Sequence, residues 1–178
     1  MPEQTRLARF EESVLPHLDA ANNLARWLTR DDGDAEDLVQ EAYLRAFRFF
    51  DGFRGGDSRA WLLKIVRNTF YTSLQQRARQ PLGLEDEGVD DPECDRCDPE
   101  TIVLANADRQ LLREAMEELP VEYREVVVLR ELEGFAYKEI AAIAGVPIGT
   151  VMSRLARARA RLRRRLTIRA ESEDRREL

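Results

Sequence analysis

YKEIAAIAGVPIGTVMSRLARARARLRRR, residues 137–165, spells a short helix, a tight turn and a second helix that grows steadily more basic. Ile140, Ala141 and Ala144 give the first helix a small apolar face, Gly145 supplies a residue free to take positive φ, and Val146 packs beneath the turn. Pro147 then opens the second helix. Along that helix Val151, Leu155, Ala158 and Leu162 recur at spacings of four, three and four and face inward. Ser153, Arg154, Arg157, Arg161 and Arg164 are left for solvent or phosphate. A helix pair of this kind is a DNA-reading unit whose second helix enters the major groove.

The charge supports that reading. From Ile148 to Arg169 eight arginines stand without one acid, although the whole chain carries a net charge of -6. The positive charge is therefore sorted into one element, and a local field of that sign attracts a phosphate backbone. A solvated basic helix is the plainer alternative, and the Ala141, Gly145, Val151 pattern ahead of the arginines argues against it.

Working outward, 178 residues can bury a core as one domain or as two small ones. Charged residues make up 35% and aromatics 7%, which points to a soluble, all-α protein. No apolar run approaches the length of a membrane span, and MPEQTRLARFEE lacks a basic start followed by an apolar segment, so no membrane insertion and a cytoplasmic location are expected. Cys94 and Cys97 form a C-x-x-C, yet zinc takes a full tetrahedral set of ligands and the single histidine, His17, is far away in sequence. The pair is read as loop thiols, with no metal and no cofactor. His17 lies among Val14, Leu15 and Leu18 and reads as a residue at a packed helix edge rather than a catalytic base.

Charge also divides the chain. Between Asp31 and Asp51 seven acids face two arginines, whereas from Gly52 to Gln80 six bases face only Asp57. Residues 81–104, PLGLEDEGVDDPECDRCDPETIVL, carry nine acids, one arginine, three prolines and two glycines, with no sustained apolar period. That composition predicts a flexible acidic linker between two small helical domains, 5–80 and 105–168, the second holding the helix-turn-helix.

In the first domain Phe10, Val14, Leu18, Ala21, Leu24, Ala25 and Leu28 mark one apolar stripe. Leu38, Val39, Ala42, Tyr43, Ala46, Phe47 and Phe50 mark a second, and Trp61, Leu62, Ile65, Val66, Thr69 and Phe70 a third. Asp34 is placed to cap the second helix and Ser58 the third. In the second domain Leu111, Leu112, Ala115, Met116 and Leu119 precede Pro120, and Val126, Val127, Leu129 and Leu132 follow it, as two more helices. The run Val126, Val127, Val128 favours a strand by propensity alone, and its helical flanks overrule it.

These segments together resemble a bacterial sigma factor of the extracytoplasmic-function type, an initiation subunit of RNA polymerase. The resemblance is carried by DAEDLVQEAYLRAFRFFDGFRG at 34–55, AWLLKIVRNTF at 60–70 and GFAYKEIAAIAGVPIGTVMSRLARARARL at 134–162, in this order with the acidic stretch between the second and third. It implies that Asp34, Asp37, Gln40 and Glu41 dock on the clamp helices of the polymerase β′ subunit, with the β subunit also in contact. It implies that the basic segment from Phe53 to Arg79 opens and reads the −10 element. The loop Arg54, Gly55, Gly56, Asp57 falls where such proteins trap a flipped base, and Lys64, Arg67 and Asn68 face the non-template strand, with the −10 candidate Tyr71 and Arg77 further along the same helix. Trp61 and Phe70, tempting as stacking platforms, sit on the apolar stripe and read as core.

In the second domain the resemblance assigns Ser153, Arg154 and Arg157 to base or phosphate contact at the −35 element, with Gly149 and Thr150 at the helix start where a phosphate meets backbone N–H groups. Many relatives carry a basic residue where this chain has Met152, which replaces a polar contact with an apolar one suited to a thymine methyl. An anti-sigma protein clasping both domains is implied by analogy alone. The short tail from Ala170 to Leu178 suggests the minimal form of the family, and a monomer is the default for a polymerase subunit.

Two other classes compete. A conventional regulator would use the N-terminal helices to sense a ligand or dimerise, but it leaves AWLLKIVRN and the acidic 34–41 face without purpose. An enzyme acting on nucleic acid needs a phosphate-cradling loop, a metal-binding carboxylate cluster or a nucleophile with its base, and the chain assembles none of them.

Overall fold

The computed structural model describes residues 2–79 and 99–174, with side chains for 5–79 and 108–167. Cys94, Cys97 and most of the acidic stretch read as a linker lie outside the described residues. Helices α1 (Pro2–Val14), α2 (Leu18–Thr29), α3 (Asp32–Phe49) and α4 (Ser58–Arg79) form the first half. Helices α5 (Pro99–Glu117), α6 (Val121–Val127), α7 (Tyr137–Ala144) and α8 (Ile148–Asp174) form the second. The described residues contain no strand. None of the helices is by itself long and apolar enough to cross a membrane, among the residues described.

The first apolar stripe is divided between two helices. Pro16 removes a backbone donor, and Leu15–His17 turn as a 3₁₀ element between α1 and α2. The change of phase leaves Leu18 40% exposed, while Phe10, Val14, Leu24 and Leu28 remain core. Phe10 meets the rings of Phe47 and Phe50 edge-on at 5.2 and 5.4 Å, tying α1 to the end of α3.

Both expected caps move by a residue or more. Asp31, not Asp34, caps α3, accepting from the Asp34 N–H at 2.7 Å. Asp57, not Ser58, caps α4, accepting from the Ala60 N–H at 3.1 Å. The Ser58 hydroxyl is instead hydrogen-bonded to His17 Nε2 at 3.0 Å, which gives the histidine a structural partner. In each case the acid lies outside the helix in extended or loop backbone, where its oxygen reaches back to the orphan N–H groups.

Val126–Leu129 are buried in helix, as their flanks predicted. α6 runs into a wider π turn at Val128–Leu132 before Gly134, at φ 73°, releases the chain toward α7. The buried Arg124 guanidinium donates to the carbonyls of Glu117 and Leu119, satisfying acceptors at the end of α5.

The two halves pack on each other. α4 lies against α2 and α3 on one side and against α7 on another, and α2 also meets α6. Leu63, off the stripe assigned to α4, is therefore fully buried, because α4 has two covered faces.

Candidate nucleic-acid interface

The helix-turn-helix forms as the residues require. Glu139 reaches back from the first turn of α7 to the Ala136 N–H at 2.7 Å, fixing the helix start. Gly145 ends α7 at φ 66° with its N–H on the Ala141 carbonyl. α8 then leaves at 102° to α7, the angle that lets one helix brace the other while the second projects. Pro147 sits just before the first turn of α8 rather than within it, and its carbonyl accepts from Thr150 and Val151.

Val151, Leu155 and Ala158 are buried, with Leu162 packed against the same core. Gly149, Ser153 and Arg157 are exposed on the opposite side, with Thr150 and Arg154 half-buried between. Arg157 lies 3.5 Å from the Tyr123 hydroxyl, and the Arg161 guanidinium stacks over the Tyr123 ring. Arg159 pairs with Glu131 at 2.5 Å on the surface. Met152 and Ile148 are about half exposed near the start of α8, an apolar patch beside the polar readers.

In the first half, Phe53 packs on Trp61 at 4.9 Å and anchors the loop that follows. Arg54, Gly55, Gly56 and Asp57 are exposed, with Gly55 at φ 88° and Gly56 at φ 105°. Two consecutive positive φ values demand glycine and turn the chain sharply into α4. Trp61 and Phe70 are both packed against the core, as their stripe predicted.

Along α4, Lys64 and Asn68 are exposed, but Arg67 and Tyr71 turn toward the second half. The Arg67 guanidinium meets the Glu125 carboxylate at 2.5 Å and the Tyr71 hydroxyl meets the same carboxylate at 3.2 Å. Burial pushes the Glu125 carboxyl above its ordinary value even though Arg67 pulls it down. Burial and the Glu125 charge together raise Tyr71 well above the usual phenol range. A second carboxylate, Glu133, is bound by Arg59 of α4 and by Asn23 of α2, the latter at 2.7 Å.

The acidic face of α3 is continuous in space. Asp37, Gln40 and Glu41 are exposed, while Asp34 is engaged by Arg77 of α4 through two hydrogen bonds of 3.1 Å. Those bonds raise the Arg77 pKa. Asp34, Asp37 and Glu41 line a cleft of about 360 Å³ with Leu28, Phe70 and Leu74.

Glu125, Glu133 and Arg59 were not singled out from sequence. Only Glu125 left a signal: it stands four residues after Val121 and four before Leu129, an acid on the apolar phase of its helix. An acid held there needs a buried cation, and nothing in the sequence says which.

Two family profiles match the chain: "Sigma-70 region 2" over residues 14–80 and "Sigma-70, region 4" over 109–162. The ECF RNA polymerase sigma-E factor of Escherichia coli K12 is 37% identical over 135 residues, covering 71% of this chain and 71% of its own length. The ECF RNA polymerase sigma factor SigE of Mycolicibacterium smegmatis is 35% identical over 161 residues, 90% of this chain. This chain spans 63% of that relative's length. Among solved structures, the sigma factor RpoE of Bartonella quintana, in complex with the anti-sigma factor NepR, is similar with a TM-score of 0.73 and 31% identity, over 90% of this chain and 98% of that one. CnrH in complex with the cytosolic domain of CnrY is similar with a TM-score of 0.60 and 26% identity, over 89% and 88% of the two chains.

Proposed function

The chain belongs to the extracytoplasmic-function sigma factors of bacterial RNA polymerase, and we propose that it is an alternative sigma factor, a non-catalytic initiation subunit working in the cytoplasm. It binds core polymerase, recognises −10 and −35 promoter elements and promotes opening of the promoter. The observation that carries this reading is the pairing, in one chain, of an exposed arginine face on a braced helix with an acidic docking face on α3 and a glycine loop ahead of α4. A regulator of the ordinary kind needs only the first of these.

Each part has a physical task. Exposed Asp37, Gln40 and Glu41 offer acceptors to a basic surface on polymerase. Gly55 and Gly56 leave an open loop floored by Phe53, with room for an unstacked base and backbone N–H groups to meet it. Ser153, Arg154 and Arg157 reach base edges or phosphate while Gly149 and Thr150 present the N-terminal end of α8. Joining two weak readers in one chain raises the effective concentration of the second once the first has bound. For an anti-sigma partner, the groove of about 630 Å³ spanning both halves offers an apolar strip of Trp27, Leu112, Met116, Val127, Leu132 and Leu162 edged by charged side chains such as Arg26, Asp32, Arg109 and Glu131.

Run-off transcription tests the reading, with the purified chain added to bacterial core polymerase on fragments from upstream of its own gene. The expected result is a discrete transcript that requires the chain and falls about a hundredfold in Arg154→Ala, Arg157→Ala. Active core enzyme that yields no transcript, with specific duplex binding by the chain alone, would replace this reading with that of a regulator.

A further inference from the structure

The ion pairs of Glu125 and Glu133 across the contact between the halves set acids of the second against bases of the first. Glu125 of α6 is fully buried, and its two hydrogen-bonded partners, Arg67 and Tyr71, both come from α4. The Arg67 guanidinium also lies over the Tyr71 ring at 4.5 Å, so the three side chains form one cluster. Arg154 of α8 adds its attraction to the same carboxylate from within the second half. One Arg154 guanidinium nitrogen, Nη1, is buried without a hydrogen-bond partner. Glu133 repeats the pattern eight residues later, its side chain 7% exposed and bound to Arg59.

A guanidinium receives a carboxylate or a phosphate through the same N–H groups. Arg67 has a side chain only 18% exposed, its Nε on a buried acid and its Nη1 on the Asn68 side-chain oxygen at 3.3 Å, so most of its fork is turned away from a DNA strand in this arrangement. We propose that Glu125 is an internal counter-anion standing in for DNA phosphate. It closes the second half onto α4 and withholds Arg67 and Tyr71 from single-stranded promoter DNA until the halves separate. The device rests on the reading of Arg67 and Tyr71 as −10 contacts. It places the restraint on DNA binding in a buried carboxylate of α6, and opening exchanges one anion for another at the same arginine.

The test uses the full chain with Cys94→Ser and Cys97→Ser, and with donor and acceptor dyes on Glu36→Cys of α3 and Arg163→Cys of α8, two exposed positions in opposite halves. Energy transfer reports closure, and fluorescence anisotropy reports binding of a labelled twenty-nucleotide thymidine strand. Glu125→Gln keeps the shape and removes the charge. It is expected to lower transfer efficiency and tighten strand binding about tenfold, as release of a mostly closed population requires. Adding Arg67→Ala should abolish the gain. Circular dichroism checks that helix content is kept. Should the single variant lose helix, the exchange Arg67→Glu with Glu125→Arg restores the pair, and it should transfer energy like the parent while binding the strand no better.

Unchanged transfer and unchanged binding in Glu125→Gln would overturn the latch, and a loss of run-off transcription in Arg67→Ala would then leave the −10 assignment standing. Reduced transfer without tighter binding would overturn the masking and lay the fault on that assignment.

Discussion

Arg67 of α4 and Arg157 of α8 are the same side chain in two dielectric settings. Arg67 lies against a carboxylate sealed from water, whereas Arg157 stands exposed with only the Tyr123 hydroxyl at 3.5 Å. The contrast extends to their helices. The bases of α4 that face the second half, Arg59 and Arg67, are taken up by Glu133 and Glu125, while α8 keeps its cationic face outward and pairs at the rim with Glu131. Charge that is paired in a dry interface orders the protein, and charge left in water attracts a partner. On the functional reading proposed above, the free chain displays its −35 reader and covers half of its −10 reader.

The largest expected effect strikes the dry side of this comparison. Glu125→Ala leaves Arg67 in the interface without its buried acid and with the Arg154 charge nearby, and should lower the stability of the closed chain by about 3–5 kcal/mol in urea unfolding. A loss as small as that of a surface pair would erase the distinction between the two helices. Next comes the support beneath the wet side. Leu155 is 1% exposed, and Leu155→Ala should cost about 3 kcal/mol by the cavity it leaves, detaching α8 from α7. Thermal unfolding measures it, and retention of tight duplex binding in that variant would mean that the arginines need no braced helix.

A smaller effect is expected at the turn between the two helices of the motif. Gly145 has open space where a Cβ would stand, so Gly145→Ala should cost only the left-handed backbone strain, about 1–2 kcal/mol. A larger loss in the melting curve would reveal a contact that the geometry does not contain. The smallest belongs to the exposed pair of Arg159 and Glu131, whose side chains are 44% and 48% exposed. Glu131→Ala should change stability by about 0.5 kcal/mol, with the difference shrinking as salt is raised. The ratio of the Glu125→Ala and Glu131→Ala effects is thus a direct measure of the difference between the two basic surfaces.

The helices were legible because periodicity is a local property. Leu38 to Phe50 and Val151 to Leu162 each point one way, and the structure buries them accordingly. Leu18 escaped because Pro16 interrupts the helix and shifts the phase by which the stripe was counted. The caps were misplaced for a related reason. Asp31, Asp32, Asp34 and Asp37 crowd one segment, and which of them leaves helical backbone depends on how α2 ends, at Arg30 with φ 63°. Among the candidate readers, the loop at Arg54 to Asp57 and Gly149, Ser153 and Arg157 of α8 are exposed where their residue types called for it, with Thr150 and Arg154 half-buried. Arg67 and Tyr71 are not, because a side chain on the polar side of one helix was taken to face water when a second domain covers it.

The amino-acid sequence by itself determined the helical class, the helix-turn-helix with Gly145 at its turn, the sorting of arginines onto α8 and the acids onto α3, and the family. Each of these depends on residues within a few turns of one another, or on the order of segments along the chain. Only the tertiary structure decided that α4 has two covered faces, that Glu125 takes Arg67 and Tyr71, and that Arg77 takes Asp34. These pairs join residues 58, 54 and 43 positions apart. A carboxylate is satisfied by whichever cation the packing brings within hydrogen-bond reach, and that choice is made by the docking of whole helices.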